Sequence, residues 1–415
     1  MRMKFNKTSQ LVLVSVVGLA VASLLAACSQ FTQTLTVDFV YVASSKEAGP
    51  NNYGEINVFE INSESGFMRQ IPDSPFPSQG RNPVAEAVSA DYSSLFVVNQ
   101  DDNTVVQFVI GSDGKLYPYN TVNTPGVYPM AVKANASDMF VLDTYQPLPT
   151  CSNASPCSGS LAVYPLTAAT KSTAVAIGAP VVNAAIHATY WPLTLPGANS
   201  SDVIVPTSMT VLANGSYVYV TAYDSSASPT VGYIFGFSVA SDGVLTPLSG
   251  SPYPAGTKPS AITGDPTSTY VYATDSAGND ILGYSVSSGD LTPLSGSPYP
   301  AGNKPSAIVI NPSFPYLFVA NSLDATVNAY SMNNGALTQL GTYATGLDPV
   351  AMGIDPSTNH FVYTVNFLGN NVSNFLMSQT AGTLINTQRS PYGANALPTA
   401  VAAIPHNGTG AGVKK

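Results

Sequence analysis

The stretch LTPLSGSPYPAG occurs twice in this chain, at Leu245–Gly256 and again at Leu291–Gly302. Both copies lead into the same pentapeptide, KPSAI, which spans Lys258–Ile262 and Lys304–Ile308. A letter-for-letter repeat of this kind indicates either a binding motif that is used twice or a structural unit that recurs along the chain. If the second interpretation is right, the rest of the sequence should show the same period.

The period does extend over most of the chain. A proline followed two positions later by a small residue occurs seven times, at Pro83, Pro129, Pro206, Pro259, Pro305, Pro349 and Pro398. Most copies precede an aromatic and β-branched run, such as Leu95–Asn99 (LFVVN) or Tyr316–Asn321 (YLFVAN), and then two further runs. Four short strands in a repeat of about 46 residues are typical of a β-propeller blade. The sequence therefore predicts an all-β, seven-bladed β-propeller of four-stranded antiparallel blades.

The two ends of the repeat region predict how the ring closes. Val37–Ala43 (VDFVYVA) matches the second strand of a blade, and no first strand precedes it. Pro398–Ile404 (PTAVAAI) matches a first strand that no second strand follows. We therefore expect the C-terminal strand to complete the N-terminal blade, with the propeller spanning residues 37–405 and a flexible tail at 406–415.

The N-terminus carries a processing signal. Basic residues precede the apolar run Leu11–Leu24, which is too short to span a bilayer comfortably, and the sequence LAAC that ends at Cys28 resembles the lipobox of bacterial lipoproteins. We predict a lipoprotein signal peptide at 1–27, a lipidated Cys28 and a short tether over 28–36. An ordinary secretory signal is the alternative. Ser29 favours an outer-membrane location, so we expect a lipid-anchored protein of the cell envelope that faces the periplasm or the exterior.

Charge narrows the range of partners. The formal net charge is −9 at pH 7. The charged residues of the predicted signal peptide are all basic, so its cleavage would make the net charge more negative. Such a chain would be repelled by phosphate backbones, so we expect no nucleic-acid partner. We expect a monomer whose lipid anchor contacts the membrane and whose ligand is a protein, a glycan or a small molecule.

Two further cysteines, Cys151 and Cys157, are predicted to form a disulfide, because exported thiol pairs are usually oxidised. No set of metal ligands accompanies them, and no cofactor is expected. A weak alternative is Ca²⁺ bound by acidic and amide side chains of the loops between second and third strands, although the same residue types are common turn formers. These side chains belong to Asp101, Asp102, Asp275, Asp280, Asp324, Asn370 and Asn371.

The Pro-x-Ala, Tyr-Val-x-Asn and Gly-x-Leu signatures resemble those of the seven-bladed lactonase propellers, which include 6-phosphogluconolactonase-like proteins, and of the YVTN-repeat propellers. The resemblance covers nearly all of residues 37–405. It implies lactone hydrolysis by Arg, His and Glu side chains at the central mouth of the ring. In the matching segments, Gly80–Pro83 and Asn99–Gln100, Arg81 is present, but Asn82 and Gln100 occupy the histidine and acid positions. No general base for activating water is evident there.

The remaining candidate residues come from long loops. Thr144–Ser158 carries the cysteine pair, and Val182–Val205 carries His187, Tyr190 and Trp191. Arg389 lies in another connection from a fourth strand to the next first strand. We expect these residues and Arg81 to converge on one face, because elaborated loops on a rigid scaffold usually bind ligands. Neutral variation of surface loops is the competing interpretation.

Two functions remain open. The first is a ligand- or partner-binding scaffold that uses this loop face, which requires no catalytic set. The second is a lactone hydrolase in which Arg81 or Arg389 would hold the substrate and His187 or an aspartate would act as the base.

Overall fold

The computed structural model describes residues 36–48, 51–152, 154–170, 173–197 and 202–406, and these residues form seven antiparallel sheets. The predicted signal peptide, Cys28 and the tail beyond His406 lie outside the described residues. Within the described ranges, no helix is long and apolar enough to cross a bilayer. The only helical turn that these ranges contain is the 3₁₀ turn Gln100–Asp102.

The strands follow the predicted repeat. Blade 1 begins with β1 (Thr36–Ala48), β2 (Tyr53–Asn62), β3 (Met68–Gln70) and β4 (Phe76–Pro77). Blade 2 contains β5 (Pro83–Val88), β6 (Ser94–Asn99), β7 (Thr104–Ile110) and β8 (Leu116–Asn123). Blade 3 contains β9 (Val127–Ala134), β10 (Asp138–Tyr145), β11 (Ser160–Thr167), β12 (Ala176–Ile177) and β13 (Trp191–Pro192). Blade 4 contains β14 (Ile204–Val211), β15 (Tyr217–Asp224), β16 (Val231–Val239), β17 (Leu245–Pro247) and β18 (Tyr253–Pro254).

The second half of the chain repeats the same order. Blade 5 contains β19 (Pro259–Gly264), β20 (Tyr270–Asp275), β21 (Asp280–Ser287), β22 (Asp290–Pro293) and β23 (Tyr299–Pro300). Blade 6 contains β24 (Pro305–Ile310), β25 (Tyr316–Asn321), β26 (Thr326–Asn333) and β27 (Ala336–Ala344). Blade 7 contains β28 (Pro349–Ile354), β29 (Phe361–Asn366), β30 (Asn371–Met377), β31 (Leu384–Asn386) and β32 (Tyr392–Gly393). The last strand is β33 (Pro398–Pro405).

The ring closes as the sequence predicts. Strand β33 pairs with β1 in blade 1, with Phe39 opposite Ile404 and Ala43 opposite Ala400. The first strands of all seven blades are neighbours around the central axis. Hydroxyl groups next to the first-strand prolines link adjacent blades there. They donate from Ser260 to the Pro305 carbonyl (2.6 Å), from Ser306 to the Pro349 carbonyl (2.6 Å) and from Thr399 to the Pro83 carbonyl (2.7 Å).

The core lies between the blades, where the sheet faces pack together. Phe39, Leu95 and Phe108, for example, belong to one buried cluster shared by blades 1 and 2. Buried tyrosines also cross these contacts, and the Tyr272 hydroxyl donates to the Gly335 carbonyl of the next blade at 2.7 Å. Gly335 has a φ of +83°, and a Cβ there would come within 2.5 Å of the Tyr270 ring. This close approach explains why glycine precedes the fourth strand in these repeats.

The duplicated stretch is an interrupted outer strand. In blade 4 its two halves, β17 and β18, both pair with β16, and the residues between them bulge away from the sheet. The Ser251 hydroxyl accepts the Gly236 N–H of β16 at 2.9 Å, which replaces a missing backbone partner. Ser297 does the same for Gly283 at 2.9 Å. In blade 1 the Ser74 hydroxyl accepts the Val58 N–H, and in blade 7 the Ser390 hydroxyl accepts the Asn374 N–H. The duplicated stretch is therefore a recurring structural unit of the blades and not a binding motif that is used twice.

Replacing both Ser251 and Ser297 with alanine should lower the free energy of unfolding by about 1–3 kcal/mol per site, because each change leaves a backbone N–H without its partner. Urea denaturation of the double variant would measure the loss. Ser249→Ala in the same bulge is the control, since its hydroxyl bonds to the Asp290 carboxylate and not to a backbone N–H. Equal midpoints for the double variant and the control would contradict this role for the two hydroxyls.

Candidate ligand site at the mouth of the propeller

The two ends of the ring differ in the loops that they carry. We call the end that holds the second-to-third and fourth-to-first connections the mouth face, and the opposite end the base face. Strand register places the first and last described strands: Ser44 pairs with Pro398 at the mouth face, whereas Asp38 pairs with Pro405 at the base face. Both the beginning of β1 and the end of β33 therefore lie at the base face.

The residue before each first-strand proline lies on the rim of the mouth. Around the ring these rim residues are Asn82, Tyr128, Val205, Lys258, Lys304, Asp348 and Leu397. Five of them have a positive φ between 53° and 59°: Asn82, Tyr128, Lys304, Asp348 and Leu397. A left-handed backbone is uncommon for such side chains, so the surrounding structure must hold these turns in place.

Buried polar side chains at the ends of the second strands hold the rim turns. Asp275 accepts the N–H groups of Thr257 and Lys258 at 2.6 and 2.9 Å. Asn321 accepts the Gly302 N–H at 3.0 Å, and Asp143 accepts the Gly126 N–H at 3.1 Å. The glycine leaves room for this brace, since a Cβ on Gly126 would lie within 2.6 Å of the Asp143 side chain.

Several of the acidic and amide side chains considered above for Ca²⁺ also accept backbone N–H groups of the rim turns. Asp324 accepts the Asn303 N–H at 2.7 Å, and Asn370 accepts the Leu397 N–H at 2.9 Å. Among the described residues, no three His, Cys, Asp or Glu side chains are grouped so that they could hold a metal ion. These hydrogen bonds support turn formation as the role of such residues.

Two lysines form a cationic segment of the rim. Lys258 and Lys304 hold equivalent positions in the neighbouring blades 5 and 6, and both side chains are exposed. Within the described residues, no carboxylate lies within 4 Å of either ammonium group. The Lys258 ammonium lies 5.0 Å from the centre of the Tyr223 ring, which is half-buried. The rim thus presents two cations and an aromatic surface in a chain of net negative charge.

Sequence analysis missed this lysine pair as a site, although the signal was present. The pentapeptide KPSAI was interpreted only as a marker of the first strand. Its repetition also places a lysine at the same rim position in successive blades, which a ring of equivalent positions brings together. An alignment of the seven repeats that asks which residue precedes each proline would have found the pair.

Arg81 lies at the mouth as expected, but its charge is compensated locally. Its guanidinium lies 2.6 Å from an Asp102 carboxylate oxygen, and its backbone N–H donates to the other oxygen at 2.7 Å. Beside it, the Asn82 amide donates to Gln100 and to Asp101, each at 3.2 Å. The positions that the resemblance assigns to a histidine and an acid therefore hold two amides in contact with each other.

The structure does not bring His187 and Arg389 to the mouth. His187 lies in the segment between β12 and β13. Strand β12 pairs with the last residues of β11, and β13 pairs with the first residues of β11. His187 is exposed at the outer edge of blade 3. Arg389 lies in the corresponding segment of blade 7, between β31 and β32, which both pair with β30. Its guanidinium is 5.4 Å from the centre of the Phe67 ring. The expected convergence is wrong, because these loops divide the outer strand instead of following it.

Trp191 is part of the core. Its side chain is 4% exposed and packs in the cluster between blades 3 and 4, where its indole N–H donates to the Leu245 carbonyl at 2.9 Å. Tyr190 is half-buried beside it, and its carbonyl accepts the Asn183 amide at 3.3 Å. The Trp191 ring is thus not available to a ligand. The predicted disulfide between Cys151 and Cys157 is confirmed.

One buried carboxyl near the axis was not anticipated. Glu86 lies on the first strand of blade 2, at a position where the other blades carry apolar residues. Burial raises the pKa of the Glu86 carboxyl well above its usual range, which favours the protonated form. Among the described residues, neither of its oxygens has a hydrogen-bond partner of good geometry. The apolar pattern of this strand position is the sequence signal that marks Glu86 as an exception.

Comparison with known proteins supports the fold. Residues 284–402 match the family model described as lactonase, seven-bladed β-propeller. A protein of Bacteroides fragilis provisionally assigned as a 6-phosphogluconolactonase superposes with a TM-score of 0.69 at 18% identity, covering 90% of this chain and 99% of that protein. The periplasmic gluconolactonase of Pseudomonas aeruginosa superposes with a TM-score of 0.68 at 16% identity, covering 89% and 99%.

A search of curated proteins found no match to the sequence. Identities this low carry the architecture and not the activity. The seven closed blades and the family match over the last blades nevertheless agree with each other and with the repeat pattern. The chain is a seven-bladed β-propeller, and its residues 284–402 resemble the lactonase family.

Proposed function

We propose that this protein is a lipid-anchored binding propeller of the cell envelope whose mouth face holds a small anionic ligand. The observation that carries the proposal is the pair of exposed lysines, Lys258 and Lys304, on adjacent rim positions. Among the described residues, neither ammonium group forms an ion pair. A carboxylate or phosphate group between them would gain two charge-assisted contacts. The Tyr223 ring beneath Lys258 adds a surface for stacking.

The side chains around Arg81 favour ligand binding over catalytic turnover. Arg81 is engaged by Asp102, and the amides of Asn82 and Gln100 cannot take up a proton. Among the described residues, neither lysine ammonium has a carboxylate within 4 Å, although Asp275, Asp324 and Asp348 belong to the same part of the rim. An anion would contact this pair rather than Arg81, whose guanidinium is already paired. Rigid strands hold both rim turns, which reduces the entropy lost on binding.

The position of the termini supports a membrane-tethered arrangement. The described chain begins at Thr36 on the base face, only eight residues after Cys28. Eight extended residues reach at most about 28 Å. A lipid on Cys28 would hold the base face towards the membrane and leave the mouth face open to ligands.

Replacing both Lys258 and Lys304 with alanine should weaken the binding of 6-phosphogluconate at least tenfold, since two charge-assisted contacts are lost. Titration calorimetry with 6-phosphogluconate and gluconate, at low and high salt, would measure the change. The control is Lys115→Ala, because Lys115 lies at the base face and pairs with Asp73. Equal affinities for the double variant and the control would refute the lysine site.

Lactone hydrolysis is the second candidate, and the buried Glu86 beside the axis is the observation that favours it. A protonated carboxyl in an apolar setting can donate a proton to a leaving alkoxide. The same preparations should therefore be assayed with γ- and δ-lactones. Turnover that is lost in Glu86→Gln would replace the binding proposal with a hydrolase whose site differs from the one that the resemblance implies.

A further inference from the structure

Four exposed leucines lie on loops of the mouth face in blades 6, 7 and 1. Leu323 and Leu368 belong to second-to-third connections, whereas Leu347 and Leu397 belong to fourth-to-first connections. Their exposed fractions are 75%, 60%, 63% and 37%, respectively. Single exposed leucines are ordinary on protein surfaces, but neighbouring ones that stay uncovered mark an interaction site. We call these four residues the leucine arc.

Backbone hydrogen bonds show that the loops of the leucine arc are neighbours. The Thr345 N–H, just before Leu347, donates to the Ala325 carbonyl at 2.9 Å. The Gly369 N–H, just after Leu368, donates to the Leu347 carbonyl at 3.1 Å. The Leu397 N–H donates to the Asn370 side chain at 2.9 Å. The loops that carry the four leucines therefore follow one another along the rim.

The leucine arc begins where the cationic segment ends. The Leu323 N–H donates to the Asn303 carbonyl at 3.3 Å, and the adjacent Ser322 N–H donates to the Lys304 carbonyl at 2.9 Å. On the other side of blade 6, the Lys304 N–H donates to the Asn279 side chain at 2.8 Å. An anion held at the lysines would thus lie beside the loop of Leu323, the first residue of the leucine arc. The same loops carry Asp324 directly after Leu323 and Asp348 directly after Leu347.

We propose that the mouth binds a single-chain amphiphile, with its anionic head group at Lys258 and Lys304 and its aliphatic chain along the leucine arc. This inference rests on the proposed function and adds the class of ligand. Each methylene group that leaves water for an apolar surface strengthens binding, up to about fourfold when it is fully buried. The head group alone would bind weakly, because the lysines are exposed and screened by salt.

The test is a series of straight-chain carboxylates, from butanoate to decanoate, titrated below their micellar concentrations. For the wild type we expect decanoate to bind at least tenfold tighter than hexanoate. Leu323→Ser with Leu368→Ser should abolish this gain, so that decanoate and hexanoate bind with equal affinity. Ile385→Ser is the control, since Ile385 is 67% exposed on the outer strand β31, away from the mouth. Circular dichroism and thermal midpoints would verify that all variants fold.

The outcomes separate this inference from the proposed function. If anions bind in a lysine-dependent manner but affinity does not rise with chain length, only the amphiphile is refuted. If no carboxylate or phosphate binds through the lysines, the proposed function fails as well. If sedimentation velocity shows dimers that the leucine substitutions dissociate, the leucine arc covers a second copy of the chain, and the amphiphile assignment is overturned.

Discussion

A chain that ends at Leu397 is expected to lose cooperative folding, because it lacks the strand that closes the ring. In the intact protein, β33 is the first strand of blade 1 and pairs with β1 from Asp38 to Ser44. Its Ile404 is fully buried in the cluster shared with blade 2. The deletion would expose this cluster and the inner edge of β1. The expected loss is on the order of 5 kcal/mol or more, comparable with the whole stability of a typical domain.

Thermal unfolding followed by circular dichroism and by dye binding to exposed apolar surface would measure this loss. The matched control is a chain that ends at His406, which retains all of β33 and the contact between the His406 and Phe39 rings at 5.1 Å. A chain ending at Leu397 that still melted sharply near the midpoint of the control would show that the ring closes without β33. The closure described above would then be dispensable for folding.

The second large effect is a stability that falls as the pH rises towards neutrality. Burial raises the pKa of Asp38 to about 7, and the nearby Asp355 carboxylate adds to the shift. Burial likewise raises the pKa of Asp143 to about 7. Because the folded state binds these protons more tightly than the unfolded chain, their stabilising effect is complete below about pH 4 and is lost as the pH rises through 7.

The two groups together should change the free energy of unfolding by several kcal/mol, since a shift of three pKa units corresponds to about 4 kcal/mol for one group. Asp38→Asn and Asp143→Asn keep an acceptor oxygen for Ser357 and for the Gly126 N–H. We expect both variants to be more stable than the wild type at pH 8 and to flatten the pH profile of urea midpoints.

Glu64→Gln is the control for the pH profile, because Glu64 is exposed. It should retain the slope of the wild type between pH 4 and 8. Stability that rises with pH in this window for the wild type would contradict the assignment of both buried carboxyls. A slope shared by all three variants and the wild type would do so too.

The candidate site shows where sequence patterns lose their predictive value. Arg81 was placed at the mouth correctly because it occupies a repeated turn, whose location is the same in each blade. His187 and Arg389 were misplaced because both lie within an interruption of the outer strand, and spacing alone does not tell an interruption from the connection that follows a strand. The burial of Trp191 depends on its contact with the Leu245 carbonyl of the next blade, more than fifty residues away.

The sequence by itself determined the seven-bladed ring and its closure, because a blade is a local unit whose strands follow one another and whose period is written in Pro83 and its six counterparts. It also determined the disulfide, which joins two neighbouring turns of the chain. Only the tertiary structure decided that, among the described residues, neither the Lys258 nor the Lys304 ammonium has a carboxylate within 4 Å, whereas Arg81 pairs with Asp102. It likewise decided that the Lys304 turn borders the leucine arc. The reason is physical: charge compensation and exposure depend on which blades become neighbours, and no single repeat contains that information.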